Sequence, residues 1–170
     1  MTFLELAKER YSVRKYKDMP VEQEKIDKIL EASRVAPTAC NKQPQRIYVV
    51  QSQKMREKLA AVCRYTFNAP VVMAVCYDKT REWHNNLAPY TSGETDAAIA
   101  CTHMMLEAWE LGLGSCWVAW MNPDEVAAVL GIPENEQLLA LLPIGYAAED
   151  AAPGALHSAS RENTEMVTVL

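Results

Sequence analysis

The sequence has few of the side chains that build metal centres or disulfide frameworks. Its five cysteines (Cys40, Cys63, Cys76, Cys101, Cys116) stand far apart with no Cys-x-x-Cys pair, and its three histidines (His84, His103, His157) are equally scattered. An odd, dispersed set of this kind excludes a disulfide scaffold and a structural zinc site as organising principles. Uncharged apolar runs long enough to cross a bilayer are missing too, so no membrane is expected as a partner. The opening Met1-Thr2-Phe3-Leu4-Glu5 meets a charge too early for a signal peptide, which makes the cytoplasm the expected compartment. The formal net charge is -5 with both signs interspersed. No basic stripe is available to neutralise a run of phosphates, which argues against nucleic acid. The glycine pair at Gly112 and Gly114 follows a helical segment and has no third glycine, so it is not a dinucleotide-binding fingerprint, and no Walker-type loop occurs. Chemistry in such a chain calls for an organic cofactor.

What is present is the composition of one soluble globular domain over residues 1–170, with 49% hydrophobic and 23% charged residues. The pattern predicts helices at Phe3–Glu9, from Pro20 to Pro37, at Lys54–Cys63, at Glu94–Leu111 and from Asn122 to Leu130. Strands are expected at Ile47–Val50, Val71–Tyr77, Ser115–Trp120 and Leu138–Tyr146, with a last β-prone run at Met166–Leu170. The helix from Glu94 is the most apolar. Its polar side chains Asp96, His103, Glu107 and Glu110 fall on one narrow stripe, so a partner is expected to cover one side, and His103 is expected to meet a carboxylate. Alternating helices and strands around that helix indicate an α+β or α/β sandwich.

Three segments could carry chemistry. Arg10-Tyr11-Ser12-Val13-Arg14-Lys15-Tyr16 places two guanidiniums and a hydroxyl within five residues. Guanidinium forks grip phosphate bidentately, although such a turn can equally be a solvated basic loop. Between Pro37 and Pro44 lie Thr38, Ala39, Cys40, Asn41, Lys42 and Gln43, with Gln45 just beyond; the Asn and Gln amides could match the alternating donors and acceptors of a heteroaromatic ring, or the segment is simply a helix-to-strand connection. The third segment joins Gly93–Ala100 to Leu111-Gly112-Leu113-Gly114-Ser115-Cys116-Trp117. Trp83, Trp117 and Trp120, and less so Tyr90, either line a substrate cavity by stacking on aromatic acceptors or serve as packing. His84 reads as structural. Cys40 and Cys116 lie inside these segments, but no neighbouring base marks either as a catalytic thiol.

In their order and spacing the three segments resemble the nitroreductase family of flavoproteins, over nearly the whole chain. The opening motif Arg-x-Ser-hydrophobic-Arg-x-aromatic is matched by Arg10, Ser12, Val13, Arg14 and Tyr16. Ala36, Pro37, Thr38, Asn41, Gln43 and Pro44 match the second motif, and Asp96, Ile99, Met104 or Met105, Leu106 and Leu111–Trp117 match the third. The resemblance implies a three-layer α+β sandwich with a mostly antiparallel central sheet, intertwined as a homodimer with FMN at the interface. It implies that Arg10, Tyr11, Ser12 and Arg14 hold the FMN phosphate and ribityl side. Pro37, Thr38, Ala39, Asn41 and Gln43 of a second copy would contact the flavin, and Val118, Ala119 and Trp120 would flank the ring. Paired basic residues near the family's C-terminus often complete the phosphate site; here Arg161 is the expected counterpart, with His157 less so.

The implied activity is oxidoreduction, in which NADH or NADPH gives hydride to the flavin and an electron-poor acceptor such as a nitroaromatic or quinone then removes it, in ping-pong order. No protein acid or base is required, so no catalytic side chain is named. Alternatives are a flavin store or redox sensor without turnover, or a divergent activity such as flavin cleavage or reductive dehalogenation. The Met166–Val169 run is expected to cross onto the partner's sheet.

Overall fold

A computed structural model describes residues Met1–Leu170. Its centre is one four-stranded antiparallel sheet in the order β1-β2-β4-β3, formed by β1 (Gln45–Val50), β2 (Val71–Asp78), β3 (Gly114–Ser115) and β4 (Glu136–Gly145). β2 is buried on both faces because its side chains alternate between two cores. Val71, Met73 and Val75 meet α2 (Gln23–Val35) and α4 (Gly93–Glu110), whereas Val72, Ala74 and Cys76 meet α3 (Gln53–Val62) and α5 (Pro123–Leu130). The result is three layers, helix on sheet on helix. The fold is the α+β sandwich expected from the sequence.

A bulge tunes β4. Val75 pairs with Ala140 but Cys76 with Leu138, which leaves Leu139 unpaired and reverses the faces beyond it. Leu138 therefore packs on the α3/α5 side although Leu142, four residues on, packs on the α4 side.

The helix boundaries follow their caps. α1 (Phe3–Glu9) begins with a capping box between Thr2 and Glu5, and Asn122 caps α5, which ends at Gly131 in the left-handed region at φ 69°. α2 starts at Gln23, later than Pro20 suggested. α4 begins at a glycine for a steric reason. A Cβ on Gly93 would lie 2.3 Å from the Tyr77 ring and 2.4 Å from the Glu82 carboxylate. At its other end, the Lys25 ammonium donates 2.8 Å bonds to the Leu111 carbonyl and the Tyr146 hydroxyl, complementing the negative helix terminus.

Three local expectations differ from the structure. The strand expected at Ser115–Trp120 is regular only over Gly114–Ser115, after which one bridge, Val118 to Leu141, keeps the chain on the sheet. The C-terminal β-prone run forms no strand; a four-residue helix, α6 (Asn163–Met166), precedes an exposed extended end in which Val167 and Val169 have nothing to cover them. His103 meets no carboxylate: its Nδ1 lies 2.9 Å from the Ile99 carbonyl one turn back, inside its own helix. No helix is long and apolar enough to cross a membrane.

Candidate functional site

The strap from Arg10 to Tyr16 lies along β3. Ser12 bridges Ser115, and the Val13 amide donates to the Ser115 carbonyl at 2.9 Å. Val13 is buried against Gly114, where a Cβ would come within 2.4 Å of its side chain, so only glycine lets the strap lie this close. The Tyr16 hydroxyl sits 2.8 Å from the Val13 carbonyl and 3.1 Å from that of Pro143, and burial pushes its phenol well above the ordinary range. With Val13 inward, Ser12 and Arg14 alternate to the other side.

There Arg10, Tyr11, Ser12 and Arg14 line a cavity of about 320 Å³, closed by Gly154, Leu156 and His157 of the C-terminal segment. Tyr11 is wedged edge-on between Trp109 (5.2 Å) and His157 (6.1 Å). The neighbouring carboxylates are already engaged by lysines, Asp150 by Lys15 and Glu149 by Lys17. Arg10 and Arg14 form no ion pair, and Arg14 bonds only to the Ser12 carbonyl at 3.3 Å. Two unpaired guanidiniums, a hydroxyl and an imidazole facing one cavity form a donor set for a phosphate dianion. His157, the lesser candidate from the sequence, lines this cavity; Arg161 is exposed and does not. Cys116 lies behind the strap, and burial pushes its thiol up despite the opposing pull of Arg14, Ser12 and Arg10.

The amide-rich loop is built on strained backbone. Cys40, Asn41 and Gln43 have φ of 49°, 53° and 49°, left-handed values that cost non-glycine residues roughly 1–3 kcal/mol each. Local bonds hold it: the Gln43 amide donates to Thr38 Oγ1 at 3.1 Å and its side chain to Asn41 Oδ1 at 2.8 Å. The anchor is Asp96 in the first turn of α4, 1% exposed. One carboxylate oxygen accepts the Ala39 N–H at 2.9 Å, and the other accepts the Ser92 hydroxyl at 2.7 Å. Pro37, Asn41 and Gln43 are left exposed, with Thr38 and Ala39 half-buried. Sequence reasoning assigned Asp96 to a polar stripe and so missed its positioning role. The available signal was an acid at the start of an otherwise apolar helix, inside a quoted motif.

Trp83 and Tyr90 also gather at this end, packed edge to face with ring centroids 6.3 Å apart. The Trp83 N–H donates to Ser92 Oγ at 3.1 Å, and the Tyr90 hydroxyl contacts Thr95 at 2.9 Å. Trp117 is half-buried against the α4-side core. Val118 exchanges two 2.9 Å bonds with Leu141, after which Ala119 and Trp120 emerge into solvent.

Most of the sequence-predicted residues thus fall into two groups, with Trp117, Val118, Ala119 and Trp120 along the sheet edge and Arg161 in neither. Asp96 anchors one and Trp109 backs the other. Thirteen residues of helix separate them, about 20 Å at ~1.5 Å rise per residue. Along the flank of α4, between α1 and α2, runs an apolar groove of about 650 Å³ that includes Phe3, Leu6, Val35, His103, Leu106 and Glu107. Phe3 and Val35 are 71% and 59% exposed, unusual for such side chains in a single soluble chain.

Comparison with known proteins adds independent findings. The model of the nitroreductase family matches residues 7–68 and 64–146. A protein of Methanothermobacter thermautotrophicus, provisionally named NADH dehydrogenase/NAD(P)H nitroreductase, is 33% identical over 97% of this chain and 87% of its own. Among solved structures, a nitroreductase family protein of Clostridium difficile superposes with a TM-score of 0.92 at 37% identity, covering 99% of this chain and 98% of that one. A nitroreductase-type protein of Desulfovibrio desulfuricans, solved in complex with FMN, superposes with a TM-score of 0.81 at 27% identity over 98% and 95% of the two chains.

Proposed function

The chain belongs to the nitroreductase family, and on that premise we propose that it is an FMN-dependent oxidoreductase taking hydride from NADH or NADPH and passing it to an electron-poor acceptor, such as a nitroaromatic or quinone, in ping-pong order. The observation that carries this reading is the cavity with two unpaired guanidiniums, whose donor set fits the FMN phosphate. Arg10, Tyr11, Ser12, Arg14 and His157 hold that end, and Arg161 joins them only if the terminal segment shifts. Val118, Ala119 and Trp120 form the edge along which the ring system lies.

The amide loop enters from a second copy. In one chain the strap and the loop sit at opposite ends of α4. An isologous pair packed across the flank of α4 brings the N-terminal end of one helix to the C-terminal end of the other, giving two complete sites. The groove beside α4 supplies the apolar surface that such a pair covers. In each site Thr38, Ala39, Asn41 and Gln43 present backbone and side-chain amides to the ring, Pro37 stiffens their approach, and Trp83, Tyr90 and Trp117 border the acceptor space. When bound, FMN supplies reversible hydride chemistry, so the protein's task is to position it, keep water away and hold positive charge beside it. Five free cysteines suit the cytoplasm.

Anaerobic stopped-flow mixing of the yellow protein with NADH and with NADPH tests the reading. Rapid bleaching, reversed by an added acceptor and giving parallel double-reciprocal plots, is expected. A preparation that stays yellow is a flavin store, and one that stays colourless after FMN addition sinks the proposal.

A further inference from the structure

Trp120 is the one exposed tryptophan of four, with 80% of its surface accessible. It is not loose. Its ring stacks on Tyr65 at 5.6 Å and 24°, and Tyr65 is backed edge-on by Phe67 at 6.1 Å. The turn beneath is fixed by Phe67 and Asn68 at φ 52° and 55° and by the buried Thr66. On the other flank, Met121 donates to the Ala119 carbonyl at 3.0 Å, and Asn122 caps α5. One indole face is thus held in place with nothing upon it.

Beside it stands Arg64. Its Nη2 donates to the Tyr65 hydroxyl at 2.7 Å, and its guanidinium lies 4.8 Å from the Tyr65 ring centroid. It pairs with no carboxylate. A guanidinium has five N–H donors, so most of the fork is available to a ligand. Arg64, Tyr65, Trp120, Met121 and Asn122 line an open cavity of about 430 Å³.

The location is informative. The extended run leaving the strap at Ser115 reaches Trp120 within five residues, at most about 17 Å, but Tyr65 and Met121 beside Trp120 pack on the α3/α5 side of the sheet, whereas Trp109 of α4 backs the Arg10 cavity. The cavity at Trp120 is therefore distinct from the one at Arg10 and shares no lining residue with it.

We propose that Trp120, Tyr65 and Arg64 form a subsite for a planar aromatic molecule carrying an anionic group, with the ring stacked on the indole and the anion held by the guanidinium. Its occupant as electron acceptor rests on the flavoenzyme reading above; the affinity for an aromatic anion does not. Stacking contributes a few-fold, and an exposed, charge-assisted contact a further few-fold that salt weakens.

The probes are 4-nitrobenzoate and its neutral near-isostere 4-nitrobenzamide, with Kd measured by calorimetry on the flavin-loaded protein and kcat/KM measured in turnover. The native protein should favour the benzoate by about three- to tenfold at low ionic strength, with the ratio shrinking as salt rises. R64Q should bring both ratios close to one, and R64K should restore part of them. W120A should weaken both probes about three- to tenfold while keeping the ratio, and W120F should recover much of the loss. Ratios cancel any change in flavin content. A native protein indifferent to the charge, or an R64Q protein that keeps the preference, overturns the proposal. Failure of nicotinamides to reduce the flavin would instead defeat the oxidoreductase reading, leaving the Kd ratios to judge the subsite alone.

Discussion

Replacing Asp96 by alanine should both destabilise the chain and release the amide loop. The carboxylate is 1% exposed and accepts two bonds, from the Ala39 N–H at 2.9 Å and from the Ser92 hydroxyl at 2.7 Å. D96A leaves both donors without a partner in or near the core, at roughly 1–3 kcal/mol each. It also removes a negative charge from the first turn of α4, worth about 0.5 kcal/mol. Removal of a buried carboxylate recovers part of that through its desolvation, so the net loss should be about 3 kcal/mol. For a chain of this size that lowers Tm by roughly 6–12 °C, at ~2–4 °C per kcal/mol. D96N should cost less, about 1–2 kcal/mol. Its carbonyl can still accept from Ala39, but its amide turns a donor toward Ser92 Oγ, which already accepts the Trp83 N–H at 3.1 Å. Circular dichroism melts at matched protein concentration and saturating FMN give the stability. Hydrogen exchange at the Ala39 amide gives the loop, with protection lost in D96A and partly kept in D96N. If D96A melts within about 2 °C of the native protein with Ala39 still protected, Asp96 is not the anchor argued above.

Other expectations follow from the same geometry. R10A should weaken FMN binding about 10–100-fold in a fluorescence titration, since it removes an unpaired charge-assisted donor, and H157A should weaken it less; unchanged affinity in R10A removes the phosphate assignment. L106E puts a charge in the groove beside α4 and should give a monomer by light scattering that also loses flavin; an intact yellow dimer would place the interface elsewhere. Glu22 is held below its ordinary value of 4.5 by its own backbone N–H and by the Tyr146 hydroxyl. A lowered folded-state value means that its stabilisation is present above 4.5 and is lost as pH falls through the folded value. The Tm gap between native protein and Y146F should therefore be full near neutral pH and narrow in acid to the part that comes from the Lys25 bond; a gap that does not narrow as pH falls contradicts the linkage.

Elements with their own signals were legible. Val71–Tyr77 reads as a strand buried on both faces because nearly every residue is apolar, and that is its place at the centre of the sheet. The amphipathic pattern of Phe3–Glu9 announced α1, and the helix start at Asn122-Pro123-Asp124-Glu125 announced α5; the Thr2 cap of α1 emerged only in the structure. What the pattern could not show was set by partners. β3 is a sheet-edge strand whose regular part ends once the chain must turn toward Trp120, although Trp117 and Val118 have strand-like side chains. The terminal run has β-forming residues but no strand beside it within one chain, so Val167 and Val169 stay exposed. Periodicity reports what a segment favours; pairing also needs an edge to receive it.

The site was legible in pieces and not in its arrangement. Arg10, Ser12 and Arg14 stand out because two guanidiniums and a hydroxyl alternate with the buried Val13 along one short strap. That His157 closes the cavity depends on how the terminal segment folds back onto Tyr11, a contact across more than a hundred residues that no local pattern encodes. The residue types of the amide loop were visible, but its left-handed backbone at Cys40, Asn41 and Gln43 and the tie from Ala39 to Asp96 of another element were not. Above all, nothing in a linear motif says that strap and loop lie at opposite ends of one helix. That separation forces a choice: either the two groups serve different ligands, or a second copy supplies the missing half. The uncovered apolar flank of the same helix favours the second, since it gives the two chains a reason to meet along the axis that would bring the halves together.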